Sequence, residues 1–148
     1  MILDLNSSSP KDTFGLGESL GRILKGKELI LLNGELGVGK TIFAKGVGNS
    51  IGINRKEIVS PSYTLMNVYE GKFKLFHIDL YRIGEFVNRG IPEIDDNLDR
   101  GIIIVEWAGF VKEYYSTEKN LIDVSISTIN GEASGRKISF STEMEFSL

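Results

Sequence analysis

Residues Gly34-Glu35-Leu36-Gly37-Val38-Gly39-Lys40-Thr41 match the pattern G-x-x-x-x-G-K-[ST] in full. They follow Glu28-Leu29-Ile30-Leu31-Leu32, an apolar run of the length of a buried strand. They precede Ile42, Phe43 and Val47, whose spacing predicts a helix ending near Gly52. A strand, a glycine-rich turn and a helix in that order make a cradle for phosphate. Successive backbone N–H groups wrap the oxygens, and the positive end of the helix dipole faces the same anion. Lys40 adds a movable point charge suited to the β- and γ-phosphates, and the Thr41 hydroxyl is a ligand for Mg²⁺. The loop therefore points to a nucleoside triphosphate. What the triphosphate is used for has to be read elsewhere.

The remaining sequence predicts one α/β domain over residues 1–148, since 148 residues is about one domain's length. Apolar residues at 41% and charged residues at 25% suffice for a core without staples. Cysteine is absent and histidine occurs once, which excludes disulfides, thiolate zinc sites, iron–sulfur clusters, a cysteine nucleophile and a multi-histidine metal site. A net charge of −3 implies no broad basic face, so DNA and membrane surfaces are not expected partners. The opening MILDLNSSSP lacks the basic start and apolar core of a signal peptide, and no stretch approaches the ~20 apolar residues of a membrane span. The expectation is a cytoplasmic protein.

Ile2–Leu5 reads as a short strand. Ser9-Pro10-Lys11-Asp12 starts a helix over 10–25, carried by Leu16, Leu20, Ile23 and Leu24 and stopped by Gly26. Tyr63–Tyr69 and Phe73–Ile78 flank Glu70-Gly71-Lys72 as a hairpin. Residues 84–98 read as helix in pieces, broken by Gly90 and Pro92. Ile102–Val105 has the β-branched run of a strand covered on both faces. Leu121–Ile129 alternates like a half-buried strand, and Lys137–Ser141 returns after turns at Asn130-Gly131 and Ser134-Gly135. The fold class predicted is a P-loop NTPase-type three-layer α/β sandwich. Its central sheet is mostly parallel, with antiparallel additions and a C-terminal hairpin.

A Mg²⁺–nucleotide site needs a carboxylate at the end of a neighbouring strand. Glu106 directly follows Ile102–Val105, a Walker-B-like position, and Asp79 follows the Phe73–Ile78 strand. Glu35, Glu85, Glu93, Asp95, Asp96 and Asp99 read instead as a solvated acidic face. His77 lies two residues before Asp79 on the same strand face and reads first as a packed residue, with a catalytic role as the alternative; Trp107 reads as core, partner contact or pocket wall. The guanine-reading N-K-x-D motif is approached only by Asn120-Leu121-Ile122-Asp123, which lacks the lysine, so ATP is favoured over GTP. The arginines, at 22, 55, 82, 89, 100 and 136, are scattered, with no arginine-rich lid of the kind small-molecule kinases use. Three classes stay open on the residues alone: an ATPase, a small-molecule kinase and a non-hydrolytic ATP-binding regulator whose Ser60–Thr64 segment changes shape with the γ-phosphate.

Several segments in order narrow the choice: Gly34–Thr41, Ser60-Pro61-Ser62-Tyr63-Thr64-Leu65, His77-Ile78-Asp79-Leu80-Tyr81-Arg82 and Val105-Glu106-Trp107. With Thr13-Phe14-Gly15-Leu16-Gly17 and the late Gly135-Arg136, the chain resembles the TsaE (YjeE) family along nearly its whole length. The resemblance implies an ATPase of tRNA threonylcarbamoyladenosine synthesis, working with TsaD and TsaB. It implies that Gly37, Val38, Gly39, Lys40, Thr41 and Ile42, with Gly34 opening the loop, hold the phosphates. Thr41 and Glu106 would ligate Mg²⁺, Asp79 would sit by the metal or the attacking water, and Thr13 and Arg136 would lie near the adenosine. Catalysis would rest on Lys40, Asp79 and Glu106, with Ser60–Thr64 as a switch segment. Ser62 stands where Thr is usual and Ala108 where Pro often follows Glu-Trp. The net charge argues that any tRNA contact is weak or indirect, local to residues such as Arg82, Arg89 or lysines near the hairpin.

Overall fold

The computed structural model describes every residue of the chain except Asn88. Among the described residues, seven strands form one sheet in the order β1-β7-β6-β2-β5-β4-β3. They are β1 (Ile2–Ser7), β2 (Leu29–Asn33), β3 (Met66–Glu70), β4 (Lys74–Asp79), β5 (Ile102–Glu106), β6 (Leu121–Ile129) and β7 (Glu132–Thr142). The four central strands, β6, β2, β5 and β4, run parallel. β3 at one edge, and β7 with β1 at the other, pair antiparallel. This is the mostly parallel sheet with antiparallel additions and a C-terminal hairpin that the sequence predicts.

The apolar run of β2 divides between two cores, because successive side chains point to opposite faces. Ile30 and Leu32 join Phe43, Val47, Ile104 and Val124 beneath the two long helices. Leu29 and Leu31 join Ile78, Leu80, Ile94 and Val105 on the other face. The helices of the first face are α1 (Pro10–Ile23) and α2 (Lys40–Ser50). The second face is covered thinly, by a 3-10 turn at Gly84–Phe86, the one-turn α3 (Pro92–Asp95) and the segment around Val111 and Tyr115. These are the helical pieces expected over 84–98; Asn88, within that stretch, lies outside the described residues.

Local chemistry explains the boundaries. The Ser9 hydroxyl accepts from Asp12 N–H at 3.1 Å and Pro10 occupies the first turn, so α1 starts where the sequence says. It ends at Ile23 rather than residue 25. The buried Glu28 carboxylate accepts the N–H groups of Lys25, Gly26 and Lys27 at 2.9, 2.9 and 3.1 Å, which draws the chain out of the helix and into β2. β3 begins at Met66, not Tyr63: Leu65 sits at φ 68°, and its N–H donates to Pro61 O at 2.8 Å, closing a turn over 61–65. β7 begins at Glu132, not Lys137. The turn is Asn130-Gly131 alone, and a register shift at Thr128/Ile129 lets Ser134-Gly135 run within the strand.

Candidate functional site

In the parallel register Asp79 pairs with Glu106 and Leu32 with Glu106, so the C-terminal ends of β4, β5 and β2 open on one edge. The loop 34–39 leaves β2 there and feeds α2. Gly39, the N-cap of α2, has φ 117°, a left-handed conformation that costs glycine little and other residues more. No side chain caps this helix, so its first N–H groups are left for an anion. The loop, Ser62, Asp79, Arg82, Glu106 and Trp107 wall a cavity of about 420 Å³.

Four ionisable side chains are buried at this strand edge. Lys40 is 5% exposed, Asp79 4%, Glu106 3% and His77 0%. The Lys40 ammonium donates to the carbonyls of Gly34 and Glu35 at 2.6 and 2.9 Å and lies 4.2 Å from the centre of the Trp107 ring. Burial lowers the Lys40 pKa; the charges of Glu106, Asp79 and Glu35 oppose that shift and favour the ammonium. Trp107 reaches this position through its own left-handed backbone, φ 57°, directly after Glu106. Its ring also packs on Tyr81, with centroids 4.9 Å apart.

The Thr41 hydroxyl donates to both oxygens of Glu106, at 3.2 Å each. Glu106 Oε2 also faces His77 Nε2 at 2.5 Å. His77 is therefore a partner of the acid, not only a packed residue; the signal was its place on the neighbouring parallel strand, visible once β4 pairs β5. Asp79 is held differently. Its Oδ2 accepts from Ser60 and Ser62 hydroxyls at 3.2 and 3.0 Å, and its Oδ1 accepts Tyr81 N–H at 2.8 Å. The serine contacts were not evident from spacing, because the turn over 61–65 is brought against Asp79 only by the fold, with Asp79 N–H donating to Leu65 O at 3.0 Å.

Thr13 and Arg136 approach the loop from the α1 side. Arg136 Nε donates to Val38 O at 2.9 Å, and Thr13 Oγ1 shares a 2.7 Å hydrogen bond with Ser7 Oγ. With Gly37, Val38, Gly39 and Ile42 they line a separate cleft of about 100 Å³. Gly34 stands at the mouth of the loop on a third surface, shared with Trp107 and Phe110, and contributes its carbonyl to Lys40. The acids read as a solvated face do lie at the surface, with Glu93 half-buried; Asp95 also accepts Tyr115 O–H at 2.8 Å. Arg82 lies over the Tyr63 ring, 3.9 Å from its centre, on the cavity wall.

The donor set fits Mg²⁺ bound with a nucleotide. Thr41 and Glu106 offer hard oxygens at one point, and Mg²⁺ takes its other ligands from phosphate and water. No cluster of three or more His, Cys, Asp or Glu that could hold a metal by itself occurs among the described residues. No helix among them is long and apolar enough to cross a membrane.

This fold and loop are those of a P-loop NTPase-type α/β protein. The family model for "Threonylcarbamoyl adenosine biosynthesis protein TsaE" matches residues 7–138. The tRNA threonylcarbamoyladenosine biosynthesis protein TsaE of Aquifex aeolicus is 42% identical over 109 residues, covering 72% of this chain and 77% of that protein. Its namesake from Treponema pallidum is 38% identical over 104 residues, covering 68% and 75%. The crystal structure of Bacillus subtilus YdiB superposes with a TM-score of 0.73 at 26% identity, covering 95% of this chain and 84% of that one. The chain belongs to the TsaE family.

Proposed function

We propose that the chain is a Mg²⁺-dependent ATPase serving tRNA threonylcarbamoyladenosine biosynthesis in the cytoplasm, as a nucleotide-switched subunit of a TsaD–TsaB threonylcarbamoyl transferase. The observation that carries this reading is the meeting of Thr41 and Glu106 beside the buried Lys40 at the start of α2. The loop amides and Lys40 bind the β- and γ-phosphates, Lys40 exchanging its backbone carbonyl partners for phosphate oxygens. Thr41 and Glu106 hold Mg²⁺, which when bound neutralises charge on the phosphates. Asp79 orients the attacking water; the P–O bond to water forms as the bond to ADP breaks. Thr13 and Arg136 flank the adenosine from their cleft. Ser60 and Ser62 report the state of the γ-phosphate through Asp79, which makes 60–64 the switch.

A small-molecule kinase is less well supported, because among the described residues Arg82 is the one arginine on the cavity wall and a phosphoryl clamp normally uses several. Arg82, which lies over the Tyr63 ring, is a weak candidate for an arginine finger, so slow turnover by the chain alone is expected. Lys40→Ala is expected to lower Mg·ATP hydrolysis by about a hundredfold or more, through loss of phosphate stabilisation. Glu106→Ala is expected to remove Mg²⁺-dependent hydrolysis and leave some nucleotide binding. Phosphate release and calorimetric ATP titration check both; wild-type turnover in the two variants overturns the assignment.

A further inference from the structure

Four cations gather on a concave surface beside the nucleotide cleft. Lys11 in the first turn of α1, Lys45 on α2, and Arg55 and Lys56 in the segment after α2 line a depression of about 680 Å³. Its other walls are Pro10, Phe14 and Ile42, and no carboxylate lines it. Among the described residues none of the four side chains forms a salt bridge, in a chain whose net charge is −3. The Arg55 guanidinium lies 5.4 Å from the centre of the Phe14 ring. The neighbouring Asp12 offsets part of the Lys11 charge but does not line the concavity: its carboxylate accepts from Ser8 N–H and Oγ, and these bonds, with a smaller contribution from the Lys11 charge, hold its pKa low.

This arrangement is unfavourable for the free protein. Like charges repel across one opening, and Lys11 stands at the end of α1 where the helix dipole disfavours a cation. A polyanion relieves both costs. Cations spread over three separate segments match a run of phosphates better than a single one. Pro10 and Ile42 are walls common to the depression and to the Thr13–Arg136 cleft, so a polyanion seated here abuts the nucleotide loop.

We propose that the Lys11–Lys45–Arg55–Lys56 concavity binds the sugar–phosphate backbone of RNA. The choice of RNA over another polyanion rests on the proposed role in tRNA modification; it does not depend on ATP hydrolysis. The contact is modest and strongly salt-dependent. It places RNA on the α1–α2 face rather than at Arg82, Arg89 or the β3–β4 hairpin.

The test is fluorescence anisotropy of a labelled RNA stem–loop titrated with the full chain at about 50 and 200 mM salt. Four phosphate contacts predict a slope of log K against log salt of roughly −3 to −4. The double variant Lys45→Gln/Arg55→Gln is expected to bind at least about tenfold more weakly at the lower salt, with a slope shallower by about 2. Lys137→Gln, outside the concavity and paired with Asp4, should bind as wild type does. ATP titration of the same samples shows that the variants are folded and tests the nucleotide reading separately. Equal RNA affinity and slope in wild type and double variant overturn the proposal, as does absence of RNA binding by wild type at low salt. A polyglutamate probe bound more tightly than RNA, and lost in the double variant, would reassign the concavity to an acidic protein partner.

Discussion

Glu106 has two partners with different tasks. Thr41 meets both its oxygens from the nucleotide side, and His77 meets one from within the sheet. With Glu106 as a carboxylate, which only accepts, the contact is made by the tautomer whose Nε2 carries the proton. Among the described residues the other ring nitrogen, Nδ1, has no hydrogen-bond partner, so Glu106 is the hydrogen-bonding group that orients the buried ring. In turn His77 restricts the orientation of Glu106. If Glu106 ligates Mg²⁺ as proposed above, a partner of this kind typically sets metal affinity by about 10–100-fold. His77→Gln is therefore expected to raise the Mg²⁺ concentration needed for half-maximal ATP binding by about tenfold, with binding of Mg²⁺-free ATP little changed. Calorimetric titrations with and without Mg²⁺ read the two quantities; an unchanged Mg²⁺ requirement would mean that His77 only fills space.

The two long helices meet backbone to backbone. A Cβ on Gly46 of α2 would come within 2.1 Å of Phe14 O, and one on Gly17 of α1 within 2.2 Å of Phe43 O. Those atoms are main chain and cannot step aside, so the helices must separate. Gly46→Ala is expected to cost about 2 kcal/mol by overpacking, beyond any gain in helix propensity. For a chain of this size that lowers Tm by roughly 4–8 °C. Gly15→Ala, on the same helix as Gly17 but with nothing within 4 Å of the added carbon, should leave Tm unchanged or higher. Thermal unfolding followed by circular dichroism distinguishes the pair, and an equal loss at both positions would contradict close packing as the cause.

The elements also show what a sequence can disclose. The loop 34–41 and strand β6 were legible because their signals are local: a glycine pattern between two periodicities, and strict alternation. The starts of β3 and β7 were not. They depend on the turn that Leu65 closes onto Pro61 and on a register shift within the hairpin. The end of α1 depended on a carboxylate placed beyond the expected stop. In the site, Lys40, Thr41, Asp79 and Glu106 could be named from spacing, and all four line one cavity. The bonds from Ser60, Ser62 and His77 could not, since they cross between segments whose adjacency is a property of the folded sheet.

The sheet as a whole makes this convergence possible. Parallel pairing of β4, β5 and β2 delivers two acids and the phosphate loop to one edge, each on a strand buried in a core. Apolar packing thus fixes the charged groups at one end, and Ser60, Ser62, Tyr63 and Trp107 lie at the surface of the cavity. On the function proposed above, such a molecule would bind nucleotide at the ends of rigid strands and pass its state through residues 60–64 to partners. The direct test is phosphate release from Mg·ATP by the purified chain, alone and with the TsaD–TsaB pair of the same organism. Slow release alone, rising about tenfold or more with the partners, is the predicted result on the scale of partner-assisted hydrolysis. No release in either condition, from a chain that still binds ATP, would contradict a switched ATPase and leave a non-hydrolytic sensor.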